Sequence, residues 1–177
     1  CSCIYGVDID IHAVEVAKFS LLIKLIENET APSVKAVTPI LPDLSTNILH
    51  GNSLVSDTEL KGIKCTDEQL VEIVPLNWDE LAVNSFDAIV GNPPYVTTED
   101  IHSLIPAPEF EIYKKKYKTA HKQFDKYFIF LERALQKVKE NGYVCYIVPN
   151  KFFKIGAGAK LRDYIAKAKY LVSLDDS

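Results

Sequence analysis

Short apolar runs that end abruptly alternate along this chain with longer stretches of helical period, and that alternation restricts the fold more than any other feature. Ile4-Tyr5-Gly6-Val7-Asp8-Ile9-Asp10 reads as a strand, and Ile11 to Asn28, with Val14, Ala17, Leu21 and Leu25 on one face, as the helix that follows it. The Asp10 carboxylate can cap that helix by accepting from the free amides of its first turn. Pro32, Pro39 and Pro42 make residues 29–45 an extended connection to a strand near Thr46 to His50, which Gly51-Asn52-Ser53 breaks. Residues 55–83 are polar and mixed, with one weak helical stretch near Asp67 to Val74, and read as a variable insertion. Ser85 to Gly91 is a buried strand stopped by Asn92-Pro93-Pro94-Tyr95, because two consecutive prolines cannot donate to a ladder. Thr97 to Lys122 is rich in charge and loop residues. Phe124, Phe128, Leu131, Leu135 and Val138 then mark a helix that Asn141-Gly142 terminates, and Tyr143 to Val148 is another buried strand. A loop over Pro149 to Gly158, a helix over Ala159 to Ala168 and a strand over Tyr170 to Leu174 complete the pattern. Such alternation implies parallel strands joined by crossovers. The predicted fold class is α/β, a Rossmann-like, doubly wound and mainly parallel sheet.

Composition narrows the function classes. The chain has 177 residues, 47% hydrophobic and 25% charged, and area scaling allows roughly 70% of the unfolded surface to be buried in one core. No apolar run approaches the roughly 20 residues that span a bilayer, and no basic stretch precedes an apolar segment at the start. No membrane partner and no secretion are therefore expected. A net charge of −4 and a pI of 5.6 exclude a histone-like, purely electrostatic binder of nucleic acid. The cysteines at 1, 3, 65 and 145 lack the paired spacing of a zinc site and read as reduced, cytoplasmic thiols, with no metal expected. The chain contains no Met and reads as a piece of a longer protein.

In an open parallel sheet, ligands bind outside the carboxyl ends of the strands, and three unusual sequences fall there. After the first strand, Asp8 can accept both hydroxyls of a ribose while Ile9 lies on an adenine face; Asp8 read alone is better taken as a second helix cap beside Asp10. After the second, the Asn52 amide offers a donor and an acceptor to the edge of adenine, with Ser53 beside it; a plain turn is the alternative. After the third, Pro93 and Pro94 fix the backbone so that the Asn92 side-chain oxygen and the Pro93 carbonyl can converge on one amino group. An exocyclic adenine nitrogen is a poor nucleophile because its lone pair is delocalised into the ring. Two acceptors that hold its hydrogens favour the geometry in which that pair points at an electrophile. Tyr95 would stack on a base extruded from its duplex, offsetting part of the few kcal/mol lost on unstacking. The alternative is a rigid turn with Tyr95 tucked into the core. Lys114-Lys115-Lys116, flanked by Tyr113, Tyr117, Lys118 and Lys122, forms a basic and aromatic stretch where a phosphate backbone would pass, or a solvated helix face. Lys151, Phe152 and Phe153 could border the base pocket, with core packing as the other role of the two aromatics. Gly156-Ala157-Gly158 is too short for a dinucleotide fingerprint and reads as a flexible loop.

Gly6-Val7-Asp8-Ile9-Asp10, Gly51-Asn52-Ser53-Leu54 and Phe86 through Val96, with its Asn92-Pro93-Pro94-Tyr95, resemble in the same order the amino-methyltransferase motifs of adenine-N6 DNA methyltransferases. Phe124 through Phe128 and Tyr146 through Phe153 look like the following helix and strand of the subgroup in restriction-modification enzymes with fused methylation and cleavage activities. The resemblance implies part of a class I S-adenosylmethionine-dependent methyltransferase fold spanning residues 1–177. It implies that Asp8 binds the ribose of S-adenosyl-L-methionine, that Ile9 contacts its adenine, and that Asn52 replaces an aspartate often found on that adenine. Asn92 and Pro93 would orient the target amino group, Pro94 would stiffen the corner, and Tyr95 would stack on the flipped adenine of double-stranded DNA. Further implied partners are a restriction or specificity domain or subunit. The family's Gly-x-Gly cofactor loop has no counterpart here, nor does a target-recognition domain, so this chain by itself is expected to bind cofactor weakly and to be inactive. Methylation of an RNA base or a protein glutamine, and a non-catalytic DNA-recognition or assembly role, are the alternatives.

Overall fold

The computed structural model describes residues 3–27, 42–78, 81, 85–168 and 171–173. Seven helices and four strands are assigned among them: β1 Gly6–Asp8, α1 Ile11–Ile26, β2 Ile48–His50, α2 Asp57–Leu60, α3 Asp67–Ile73, β3 Phe86–Gly91, α4 Thr98–Leu104, α5 Ala107–Lys116, α6 Lys126–Lys137, β4 Val138–Tyr146 and α7 Ala159–Ala168. Two further 3-10 turns cover Asn150–Phe153 and Gly156–Gly158. The chain divides into two compact units, Cys1–Thr58 with Val74–Ala82, and Glu59–Ile73 with Val83–Ser177.

In the first unit, β1 and β2 pair in parallel, with Gly6 opposite Ile48 and Asp8 opposite His50. The helix between them starts where the sequence says it should. The Asp10 side chain accepts from the His12 amide at 2.8 Å, which satisfies one of the donors a helix start leaves free. Val14, Ala17 and Leu21 recur at helical spacing and pack with Leu22 against Leu44 and Ile48. The expected proline-rich connection falls largely outside the described residues.

In the second unit, β3 and β4 also pair in parallel, from Phe86 opposite Val138 to Gly91 opposite Tyr146. Both sheets are two-stranded among the described residues, and their parallel pairing between helices is that of the expected α/β class. The ladder is irregular between Phe86 and Ala88. Asn141 adopts φ 64°, and a Cβ on Gly142 would stand 2.8 Å from the Asp87 carbonyl oxygen, so the Asn141-Gly142 pair shapes this bulge. Asn141-Gly142 does not end the preceding helix, contrary to the sequence reading. That helix closes at Lys137, and the β-branched Val138 turns extended (φ −78°, ψ 143°) and joins the ladder.

The stretch over Thr97 to Lys122, expected to be loop-rich, holds two helices. Thr97 caps α4 through the Asp100 amide, and Pro106 fixes the entry to α5. Apart from the buried Glu109, their charges lie outward, while Ile101, Ile112 and Tyr113 join Phe124, Tyr127, Phe128, Ile129 and Leu161 among the fully buried side chains. The described residues of the segment 55–83 hold α2 and α3, and Arg133 on α6 makes two 2.9 Å bonds to the Glu59 carboxylate on α2. Of the strand expected at Tyr170 to Leu174, the described residues 171–173 carry no strand, and the two end residues lie outside the described residues.

Candidate functional site

Asp8 ends β1. Its Oδ1 accepts from the Asp10 amide at 2.8 Å, while Oδ2 has no partner among the described residues. One carboxylate oxygen therefore shapes the turn, and that bond leaves the other open to a ligand. Ile9 is 49% exposed, and its carbonyl oxygen lies 3.0 Å from the His50 imidazole on the neighbouring strand. An exposed carboxylate oxygen next to an exposed branched aliphatic chain fits the hydroxyls and the flat base of a nucleoside.

Asn52 differs from that picture. It is buried, its Oδ1 accepts from the Leu54 amide at 3.0 Å, and its backbone amide donates to the Val74 carbonyl at 2.7 Å. This is an Asx-type turn, and it engages the amide oxygen that the sequence reading gave to adenine. Gly51 is required beside it: a Cβ there would stand 2.8 Å from Leu76 Cδ1 and 3.3 Å from Leu76 Cα. Ser53 is half-buried.

In the second unit, β3 runs directly into Asn92-Pro93-Pro94-Tyr95. Pro93 is buried, while Asn92, Pro94 and Tyr95 are exposed, so the corner is anchored on one proline and open around it. Tyr95 is not tucked into the core. Its ring is 48% exposed and meets Tyr127 edge-on, with centroids 6.2 Å apart and planes at 86°. Its hydroxyl lies 2.6 Å from the Asn92 side-chain amide and 2.9 Å from the Ile147 carbonyl oxygen. The Ile147 amide donates to the Gly91 carbonyl at 3.3 Å, which ties the chain after β4 to the end of β3. Beyond the corner, the Lys126 amide donates to the Val96 carbonyl at 2.7 Å, and Thr98 Oγ1 donates to the Phe124 carbonyl at 2.6 Å. The segment is held at both ends with its polar tip outward.

Tyr127 leads into an aromatic row: its ring contacts Phe128 (4.7 Å) and Phe152 (6.3 Å), and Phe152 lies 4.0 Å from Phe153. Burial, with Asp125 adding to it, pushes the Tyr127 phenol well above its usual range, so it stays protonated. Sequence reasoning missed Tyr127 and the Ile147 carbonyl. Tyr127 sits between apolar helix positions and gives no separate spacing signal, and a backbone oxygen gives none at all.

The four lysines nominated from sequence are placed unequally. Lys114 Nζ donates to the Lys122 carbonyl at 2.9 Å and the Ala120 carbonyl at 3.3 Å, and lies 4.7 Å from the Phe124 ring centroid. Burial lowers its pKa, and its contacts are those of a pin for the loop after α5. Lys115 pairs with Glu111 one turn back. Lys151 pairs with Asp125 at 2.9 Å. Lys116 is exposed and has no partner among the described residues. No group of His, Cys, Asp and Glu among the described residues could hold a metal ion, and no helix there is long and apolar enough to cross a membrane.

Residues 2–177 match the family model of the Eco57I restriction-modification methylase. The chain is 49% identical over 174 residues to the type II restriction enzyme and methyltransferase RM.Eco57I of Escherichia coli, covering 98% of this chain and 17% of that protein. It is 37% identical over 86 residues to the type II methyltransferase M.PaeR7I of Pseudomonas aeruginosa, covering 49% and 14% of the two chains. Over 60 residues it is 47% identical to a putative type II restriction enzyme and methyltransferase of Methanocaldococcus jannaschii, covering 33% and 5%. The chain thus spans less than a fifth of the length of these relatives. With its motifs in the expected order and the match running along nearly all of its residues, the chain belongs to the Eco57I restriction-modification methylase family.

Proposed function

We propose that this chain is methyltransferase sequence of a restriction-modification enzyme, and that it serves transfer of a methyl group from S-adenosyl-L-methionine to the N6 amino group of an adenine flipped out of double-stranded DNA. The observation that carries this reading is the corner after β3, an exposed Asn92 amide beside a half-exposed Tyr95 ring on a backbone fixed by two prolines. That combination suits a planar, conjugated amino group. Asn92 and the Pro93 carbonyl, which accepts no hydrogen bond among the described residues, would take its two hydrogens, and Tyr95 would stack on its base.

The cofactor fits the first unit in part. The free Asp8 oxygen and the exposed Ile9 side chain suit its ribose and adenine, with Ser53 nearby in sequence, whereas the Asn52 amide oxygen is engaged by Leu54. When bound, S-adenosyl-L-methionine supplies an electrophilic methyl group on sulfonium sulfur. The residues of this chain contribute orientation and desolvation, the terms that dominate when no proton relay or metal takes part. Residues 55–83 are proposed as a family-variable insertion on one methyltransferase domain over 1–177, and Lys116 as a contact for the phosphate backbone. A restriction or specificity domain, in the same chain or a partner, completes the proposed enzyme.

The test is incorporation of labelled methyl into unmodified double-stranded DNA by the complete protein that carries this sequence. Asn92→Ala is expected to lower transfer by at least about a hundredfold, equivalent to roughly 2.7 kcal/mol of transition-state stabilisation, while cofactor affinity changes less than about twofold. Undiminished transfer by the variant would overturn the role given to Asn92, and methyl found on RNA or a protein amide instead would move the substrate class.

A further inference from the structure

Tyr95 Oη stands 2.6 Å from Asn92 Oδ1 and 2.9 Å from the Ile147 carbonyl oxygen. A phenol carries one proton, and a backbone carbonyl can only accept. With the Asn92 oxygen turned to Tyr95, that single proton has two acceptors to serve, and one oxygen is left facing the phenol oxygen with no hydrogen between them. A half-turn of the amide about its terminal torsion removes the conflict. The oxygen and NH2 ends of an asparagine are nearly equal in size and are told apart by their hydrogen bonds. After the half-turn, Asn92 Nδ2 donates to Tyr95 Oη, the phenol proton goes to the Ile147 carbonyl, and each group has a partner of the right kind. The contact to Asn92 then lengthens by about 0.2 Å, toward the usual N–H···O distance. The same half-turn frees the Asn92 oxygen on the exposed side of the corner.

We propose that the Tyr95 hydroxyl, itself held by the Ile147 carbonyl, is a positioning group that fixes the polarity of the Asn92 amide, with NH2 inward and the acceptor oxygen outward toward the amino group to be methylated. The proposal rests on the methyl-transfer reading for its purpose, while its structural content, the direction of one amide, stands apart from that reading. It gives the two parts of Tyr95 separate roles: the ring faces the base, and the hydroxyl acts through Asn92. The tie from the Ile147 amide to the Gly91 carbonyl at 3.3 Å makes the arrangement stiff, because the acceptor that orients Tyr95 is anchored to the strand that presents Asn92.

The experiment uses the complete protein labelled with 15N-asparagine, the Asn92 side-chain signals being identified by their loss in Asn92→Asp. One Asn92 amide proton is expected to show a nuclear Overhauser contact with the Tyr95 ring and to shift in Tyr95→Phe, which keeps the ring and removes the hydroxyl. In methyl-transfer assays Tyr95→Phe is expected to lower kcat about tenfold with KM for DNA nearly unchanged. The loss should fall below about threefold in an Asn92→Asp background, where two equivalent oxygens leave nothing to orient. Amide protons unmoved by Tyr95→Phe, or equal fold losses in the two backgrounds, would overturn the proposal. Should Asn92→Asp transfer no methyl, the amide signals decide alone. If those signals behave as expected and even the unaltered protein methylates nothing, the amide polarity stands and the methyl-transfer reading falls.

Discussion

Glu132 on α6 shows how a single buried charge organises the polypeptide around it. It is 1% exposed and accepts from the Lys118 amide at 3.1 Å and the Thr119 amide at 2.8 Å. Those donors belong to the loop after α5, whose backbone would otherwise leave buried N–H groups unsatisfied. Gln136 Nε2 adds a third bond at 3.3 Å. Glu132→Gln keeps the shape but turns an NH2 toward at least one backbone donor, and is expected to lower stability by about 1–3 kcal/mol. Urea denaturation followed by circular dichroism measures it, and an unchanged midpoint would show that the loop does not depend on this carboxylate. Nothing in the sequence marks Glu132 out. It lies one residue past Leu131 on a helix whose apolar face was readable, and its value comes from amides 13 and 14 residues earlier.

At the scale of elements, Gly156-Ala157-Gly158 is packed structure where the sequence suggested a flexible loop. A Cβ added at Gly158 would stand 2.1 Å from the Phe152 carbonyl oxygen, which Arg162 also binds, whereas a Cβ at Gly156 meets nothing within 4 Å. Gly158→Ala is therefore expected to cost about 3 kcal/mol and to disturb the seat of Phe152, while Gly156→Ala changes stability by less than about 0.5 kcal/mol. Thermal unfolding of the two variants separates close packing from loop flexibility, and equal melting temperatures would discard the distinction. The elements that were legible share one property, that their signal is local. Asp10 caps α1, apolar spacing sets α1 and α6, and the two prolines stop β3. The helices α4 and α5 were obscured because charge and proline were read as loop markers, although Thr97 with Asp100, and Pro106 ahead of Ala107, are start signals. The early end of α6 was hidden for another reason: Val138 leaves the helix to pair with Phe86, 52 residues before it.

On the scale of the whole molecule, the candidate site was legible in its residues and not in its internal bonding. Asp8 ends, and Asn52 and Asn92 follow, a strand that the sequence located, because turn-forming residues after apolar runs announce themselves. That Asn52 is locked to Leu54, or that Tyr95 reaches across to Ile147, depends on where distant backbone passes. The lysines teach the same lesson with a consequence for the proposed substrate. Lys114 is held by two carbonyls, Lys115 by Glu111 and Lys151 by Asp125, which leaves Lys116 as the one of the four without a partner among the described residues. Only a cation that is not already neutralised displaces a condensed counterion when it meets a polyanion. The logarithm of DNA affinity should accordingly lose about 0.9 of its slope against the logarithm of salt concentration in Lys116→Ala and keep it in Lys151→Ala, whose ammonium is already paired with the Asp125 carboxylate, so that titrations at several ionic strengths would count how many of these ammonium groups the duplex can feel.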